Sequence, residues 1–191
     1  SGFVASCTSN LPELSIGPNS DTKNTENFNT VLYTGNGGTL SVTGFDHQPD
    51  WLWVKSRNIT GNHRLQDSSR GVSFSVIAQA SDAEKGDSDA EDIDSFDTDG
   101  FTVTQASYDD YNDADDTYVA WSWKLNGGTT STNNDGSLTS VVQANTTSGV
   151  SIILYTGGGS AGDTIGHGLS AAPTMVWFKR RGASGNWMVY V

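Results

Sequence analysis

The sequence predicts an all-β fold of the sandwich or jelly-roll type, built as a tandem repeat. Three observations lead to this prediction. The composition is rich in turn formers, with 22 Gly and only 35% hydrophobic residues, which favours short strands over long helices. Six Trp, six Tyr and seven Phe supply enough large side chains for a folded core. Two blocks of sequence also occur twice, in the same order.

The strands of the first unit are predicted from short apolar runs, each bounded by Gly, Asn, Asp or Pro. A Gly-Asn-Gly-Gly string at 35–38 predicts a hairpin between the first two runs, and Asp-Thr-Asp-Gly at 97–100 predicts a second tight turn. The predicted strands are 30–33, 40–42, 51–55, 74–78, 101–104 and 118–124, with Phe96 before the second turn. About seven short strands at this spacing are typical of a sandwich or a jelly roll.

The repeat is read from two pairs of blocks. Val-Leu-Tyr-Thr-Gly at 31–35 returns as Ile-Leu-Tyr-Thr-Gly at 153–157, an offset of 122. The Pro-, Trp-, Lys- and Arg-containing block 49–57 returns at 173–181, an offset of 124. A period this long indicates a whole domain rather than a solenoid unit. We therefore expect a leading segment and linker at 1–27, a first β-sandwich copy at 28–125, a linker at 126–136, and an incomplete second copy at 137–191.

Pairs of tryptophans stand two residues apart in two of the predicted strands. Trp51 and Trp53 share one face of their strand, as do Trp121 and Trp123, because side chains alternate along a strand. Leu52 opposes the first pair, so that strand is apolar on both faces and is expected inside a sandwich or under a loop. These tryptophans either pack in the core or form a surface on which sugar rings stack.

The charge is acidic and local. The net charge is −12, and residues 82–116 hold twelve Asp, two Glu and one Lys. This excludes a basic nucleic-acid surface, and no apolar run reaches the ~20 residues that cross a bilayer. Oxygen donors at Asp97 and Asp99, and again at Asp109, Asp110 and Asp113, are candidate Ca²⁺ ligands. The alternative is a turn at 97–100 and a solvated acidic loop at 109–116.

Catalytic motifs are absent from the sequence. It has one cysteine and three histidines, no Gly-x-Ser-x-Gly elbow and no phosphate-binding loop. The Asp and Glu of 82–116 are so dense that carboxylate pairs arise by chance. A pair of carboxylates in this segment is therefore no evidence for a glycosidase site. We expect a protein that is not an enzyme.

Several blocks together resemble a repeated domain of unknown function found in marine phage tail-fibre and virion structural proteins. Asn10-Leu11-Pro12-Glu13 resembles the linker that follows a SPRY-like module in such proteins. The blocks that carry the main resemblance are 28–39, 48–57, 63–71, 96–103, 117–124, 166–169 and 176–181.

The resemblance implies a lectin-like, concanavalin-like β-sandwich in a virion protein, located outside the cell. It implies attachment to a glycan or protein of the bacterial surface, together with contacts to other virion subunits in a homo-oligomer, for which we guess a trimer. Two alternatives stay open: a purely architectural capsid decoration or fibre spacer, and a polysaccharide-degrading tailspike. Ca²⁺ is the one cofactor considered, and neither nucleic-acid binding nor membrane insertion is expected.

Overall fold

A computed structural model of the chain describes residues 24–86, 93–104 and 110–191. Within these ranges the protein is all-β, with one 3-10 turn at Asn24–Glu26 and no α-helix. No helix in the described part of the chain is long and apolar enough to span a membrane. The strands are β1 (Phe28–Thr34), β2 (Thr39–Thr43), β3 (Trp51–Ser56), β4 (Arg64–Asp67), β5 (Ser75–Ile77), β6 (Ile93–Asp97), β7 (Gly100–Thr104), β8 (Thr117–Trp123), β9 (Ser131–Asn133), β10 (Ser140–Asn145), β11 (Val150–Tyr155), β12 (Val176–Phe178) and β13 (Met188–Tyr190).

Two antiparallel sheets enclose the main core. The first has the strand order β1-β8-β3-β4-β5, and the second has the order β2-β7-β6. Leu52 and Tyr118 come from the first sheet, Val42 and Phe101 come from the second, and all four belong to one buried cluster. Apolar faces of two sheets therefore bury each other, which is the packing of a sandwich.

Strict alternation places the side chains of β3 and β8. Leu52 and Val54 are fully buried, whereas Trp51 and Trp53 on the other face of β3 are only half-buried. The predicted strands at 30–33, 40–42, 51–55, 101–104 and 118–124 all coincide with observed strands to within one or two residues at each end. The predicted turn at 97–100 is also confirmed, because β6 and β7 pair directly with Asp97 opposite Gly100.

The predicted hairpin at 35–38 is wrong. β1 pairs with β8, and β2 pairs with β7, so the Gly-rich segment crosses from one sheet to the other. Asn112 holds this crossing: its side-chain oxygen accepts the N–H of Asn36 at 2.9 Å, and its amide donates to Gly38 O at 2.6 Å. Gly37 has φ 67°, a conformation that glycine adopts without strain. A Gly-rich segment of this kind therefore suits a crossing between two sheets as well as it suits a hairpin.

The remaining strands form two smaller sheets. β11, β10 and β9 form one, and β12 and β13 form a separate hairpin. β9 lies within 126–136, the segment predicted to be a linker, so part of that segment is a strand. The all-β class is confirmed, while the jelly-roll or concanavalin-like type, the tandem repeat and the domain boundaries stay predictions.

A buried carboxylate fixes the segment that leaves β8. Asp50 is fully buried, and its two oxygens accept hydrogen bonds from five donors at 2.6–3.0 Å. The side-chain oxygen of Gln143 on β10 accepts the N–H groups of Asn126 and Gly128. The segment from Leu125 to Gly128 is therefore held from both sides. The donors to Asp50 are the side chains of Gln48 and Ser68 and the backbone N–H groups of Leu125, Gly127 and Gly128.

Candidate functional site

All six tryptophans of the chain lie in one connected group of rings on the outer face of the first sheet, away from the main core. We call this group, with Phe28, the aromatic layer. Each ring in it lies within 6.5 Å of another, centroid to centroid. Its members are Phe28, Trp51, Trp53, Trp121, Trp123, Trp177 and Trp187.

Strand register builds the lower part of the aromatic layer. Trp123 on β8 is directly opposite both Phe28 on β1 and Trp51 on β3. Its ring stacks on Trp51 at 4.5 Å and lies 4.8 Å from Phe28. One step along, Trp53 is opposite Trp121, with their rings edge to face at 5.6 Å. Directly opposite aromatic pairs of this kind are a strong source of sheet stability.

The β12–β13 hairpin supplies the upper part. The ring of Trp177 meets those of Trp51 at 5.5 Å and Trp53 at 6.3 Å, both edge to face. Trp187, just before β13, meets Trp177 edge to face at 6.5 Å and donates its indole N–H to Ile77 O at 3.1 Å. The hairpin therefore covers part of the tryptophan face, which explains why β3 is apolar on both sides.

A polar rim fixes the hairpin beside the rings. The ammonium of Lys179 donates to the carbonyl oxygens of Ser81 and Asp82 at 3.2 and 2.6 Å. Backbone bonds run both ways, from Gly185 N to Ser81 O at 2.7 Å and from Glu84 N to Arg181 O at 2.9 Å. Main-chain bonds thus tie the hairpin to the segment after β5, while ring packing ties it to the first sheet.

Glu84 joins the β12–β13 hairpin to the segment after β4 by charge. Its carboxylate pairs with Arg70 at 2.8 Å and with Arg181 at 2.7 Å. Burial alone would raise the pKa of the Glu84 carboxyl, but hydrogen bonds from Arg181 and Arg70 and their charges outweigh burial and lower the pKa. Arg70 is itself buried and also pairs with Asp67. The carboxylate stays ionised at neutral pH and connects two cations.

His63 lies beside the aromatic layer and accepts a hydrogen bond from one of its rings. The indole N–H of Trp53 donates to His63 Nδ1 at 3.0 Å, which requires an unprotonated Nδ1 because indole can only donate. Burial, and then the charge of Lys55, lower the pKa of His63. The ring is therefore neutral at physiological pH and can accept this hydrogen bond.

The candidate calcium ligands Asp97 and Asp99 lie at the β6–β7 turn and accept hydrogen bonds from the flanking strands and from the segment after β2. Asp97 accepts hydrogen bonds from the hydroxyls of Ser95 at 2.7 Å and Thr102 at 2.8 Å. Asp99 accepts the N–H of Asp46 at 2.7 Å.

The other candidate ligands have separate partners. Asp110 is buried and pairs with Arg64 at 2.7 Å, while accepting the N–H of Asn62 at 2.7 Å. The N–H of Asp113 donates to the hydroxyl of Tyr118. Asp109 lies outside the described residues. The described ranges contain no group of three or more His, Cys, Asp or Glu placed to hold a metal ion, and the calcium site, which includes Asp109, stays a prediction.

Sequence reasoning missed the cover over the tryptophans and the Asp50 and Glu84 networks. One signal for the cover was present, since Trp177 occupies the position of Trp53 in the repeated block. The partners of Asp50 lie up to 78 residues away in sequence, and no local pattern indicates such contacts. The tryptophan rings pack on one another, and Trp177 and the neighbouring Phe28 are also exposed. A surface on which sugar rings stack stays a prediction.

Comparison with known proteins gives a family but no function. No curated protein and no solved structure matches the chain. One family, described as a domain of unknown function (DUF7483), matches residues 23–191. That match covers both predicted copies and the linker between them. The chain belongs to the DUF7483 family.

Proposed function

We propose that the chain is a structural module of a virion appendage of the phage tail-fibre type, with a role in attachment to the host surface. The observation that carries this proposal is the packing of the β12–β13 hairpin on the outer face of the first sheet through the aromatic layer. Packing of one unit on the face of the next suits an extended array, in which each unit contacts its neighbours. The phage assignment itself comes from the sequence resemblance.

Attachment would use exposed aromatic side chains at the margin of the aromatic layer. Phe28 and Trp177 are both exposed while their neighbours in the layer are half-buried. An exposed ring supported by a neighbouring ring, as Trp123 supports Phe28 at 4.8 Å with the two ring planes tilted by 51°, offers a flat apolar face to a sugar ring of a bacterial surface glycan. Single contacts of this kind are weak, and copies in a homo-oligomer multiply them. No catalytic step is part of the proposal.

A second candidate is a purely architectural role, as a fibre spacer or capsid decoration. It is favoured by exposed apolar side chains on β12 and β13, among them Phe178, Met188 and Val189. Apolar patches of this kind are characteristic of surfaces that are covered by a neighbour in an assembly. In this role the aromatic layer serves only to join units.

A binding experiment separates the two candidates. The full chain, displayed on a trimeric scaffold and labelled with a fluorophore, is incubated with a panel of marine bacterial strains, with Ca²⁺ or with EDTA. Saturable binding to some strains supports attachment, and loss of binding in EDTA would show that attachment requires a divalent cation. Absence of binding to every strain would leave the architectural role.

A matched pair of variants tests the ring contact. Phe28→Ala and Leu32→Ala both remove an exposed apolar side chain from the outer face of β1. We expect Phe28→Ala to weaken binding of the trimeric display and Leu32→Ala to leave it unchanged. Equal effects of the two variants would contradict a role for the aromatic layer in attachment.

A further inference from the structure

We propose that a cleft beside the loop between β9 and β10 binds a neutral sugar through adjacent hydroxyl groups of one ring. The cleft has a volume of about 370 Å³ and is lined by Asp135 from that loop and by residues 165–169 from the segment after β11. We call it the Asp135 cleft. None of its lining residues belongs to the aromatic layer, so the inference does not depend on attachment through that layer.

The wall of the Asp135 cleft is the Gly-His-Gly-Leu string at 166–169. A Cβ at position 166 would lie 1.7 Å from Asn133 Oδ1, and a Cβ at position 168 would lie 2.7 Å from Val142 Cγ1. Gly168 also has φ 70°, a conformation that glycine adopts without strain. The two glycines therefore let this segment pack closely against β9 and β10, with His167 between them at the cleft.

Hydrogen bonds fix both the backbone and the ring of His167. Its carbonyl oxygen accepts the hydroxyl of Ser151 at 2.6 Å, and the carbonyl oxygen of Gly166 accepts the hydroxyl of Ser140 at 3.1 Å. The N–H of Leu169 donates to Nδ1 of the ring at 3.0 Å, which requires an unprotonated Nδ1. The neutral imidazole therefore carries its proton on Nε2. Among the described residues this Nε2–H has no acceptor, so it is available to a ligand.

Asp135 supplies an acceptor to the same cleft. Its Oδ2 accepts the side-chain amide of Asn133 at 3.0 Å, and its N–H donates to Asn133 Oδ1 at 2.9 Å, so the carboxylate is held in place. Its Oδ1 has no partner within the described part of the chain. The half-buried side chains of Ile165 and Leu169 line the rest of the cleft. Apolar side chains with a few placed polar groups, in a volume of about 300–1,000 Å³, are typical of small-molecule sites.

One acceptor and one donor select among ligand classes. A hydroxyl both donates and accepts, so adjacent hydroxyls of a sugar ring can donate to Asp135 and accept from the Nε2–H of His167. The C–H face of the ring then packs on the aliphatic side chains. The Asp135 carboxylate repels an anion, an ammonium group leaves Nε2–H without an acceptor, and a metal ion needs a ring nitrogen that carries no proton. A neutral sugar is the class that satisfies both polar groups.

The test titrates the full chain with the methyl glycosides of glucose, mannose and galactose and follows the imidazole proton–nitrogen NMR signals. We expect the free protein to show the Nε2–H tautomer at His167. At least one of the three sugars should shift the His167 signals with a Kd on the order of 1 mM, while the signals of His47 and His63 stay in place. Unchanged His167 signals with all three sugars at about 100 mM, far above that Kd, would overturn the inference.

A matched pair of variants locates the sugar. Asp135→Ala and Asp163→Ala both remove an exposed carboxylate, but Asp163 does not line the cleft. We expect Asp135→Ala to weaken sugar binding at least tenfold, since it removes a charged acceptor, and Asp163→Ala to leave the Kd unchanged. Equal effects of the two variants would contradict the inference. A shift of the His167 signals with Ca²⁺ or methylammonium, and with none of the sugars, would make the cleft a cation site and the inference wrong.

The titration is independent of the proposed attachment through the aromatic layer. Phe28→Ala, which tests that attachment, should leave the Kd for the methyl glycoside unchanged, because Phe28 does not line the cleft. Loss of bacterial binding in Phe28→Ala together with an unchanged sugar titration would support both proposals. Loss of the His167 shift in Phe28→Ala would place the sugar on the aromatic layer and overturn the inference.

Discussion

Replacement of Asp50 by alanine should destabilise the protein more than removal of any exposed carboxylate. The carboxylate is fully buried and accepts five hydrogen bonds, three of them from backbone N–H groups of the segment after β8. A backbone donor left buried without an acceptor costs about 1–3 kcal/mol. Partial relaxation and water entry recover some of this, so we expect a loss of about 3–5 kcal/mol in the free energy of unfolding.

The assay is urea and thermal unfolding followed by tryptophan fluorescence. For a chain of this length the expected loss corresponds to a fall in Tm of about 6–20 °C. Asp135→Ala is the matched control, since Asp135 is exposed, accepts a side-chain bond from Asn133 and carries the same charge. That control should change stability by less than about 0.5 kcal/mol. If Asp50→Ala is as stable as Asp135→Ala, the buried network does not hold the segment after β8.

Three other changes have defined outcomes. Gly100→Ala would place a Cβ 1.8 Å from Val42 O, so its Tm should fall sharply, whereas Gly157→Ala, with open space around it, should leave Tm nearly unchanged. Burial lowers the pKa of His47 below 6.5 in the folded protein, so as pH falls the imidazole becomes protonated more readily in the unfolded chain. The free energy of unfolding should therefore fall as pH decreases from about 7.5 to 5.5, and it should fall less in His47→Gln. The Glu84 carboxyl has a lowered pKa, so Glu84→Gln should be less stable than the parent above pH 4.5, with the difference narrowing as pH falls further. A pH-independent difference in either case would contradict these assignments.

The strands were predictable because their signal is local. Alternation of Trp51 and Trp53 with Leu52 determines which face of β3 meets the core, and it depends on neighbouring residues only. The Gly-rich segment at 35–38 was misread because glycine permits many chain reversals, and Asn112, which decides the outcome, lies 76 residues from Asn36. Local sequence gives the element, while the partner of the element depends on distant residues.

The candidate site was predictable in part for the same reason. Tryptophan pairs indicated that β3 is apolar on both faces, and the sequence favoured core packing over sugar stacking for these side chains. The hairpin that covers this face begins 120 residues after the end of β3, and Lys179 and Arg181 tie it to residues about 97 positions away. Charges such as Glu84 looked like part of a solvated acidic segment, although that carboxylate is bound by two arginines.

The most direct test of the account is a double-mutant cycle between Trp51 and Trp177, because the central claim is that the β12–β13 hairpin docks on the first sheet through the aromatic layer. Their rings meet edge to face at 5.5 Å. The free energy of unfolding is measured for the parent, Trp51→Leu, Trp177→Leu and the double variant. We predict a coupling energy of about 0.5–1.5 kcal/mol. Additive effects, to within about 0.3 kcal/mol, would show that the two rings do not interact and would contradict the docking.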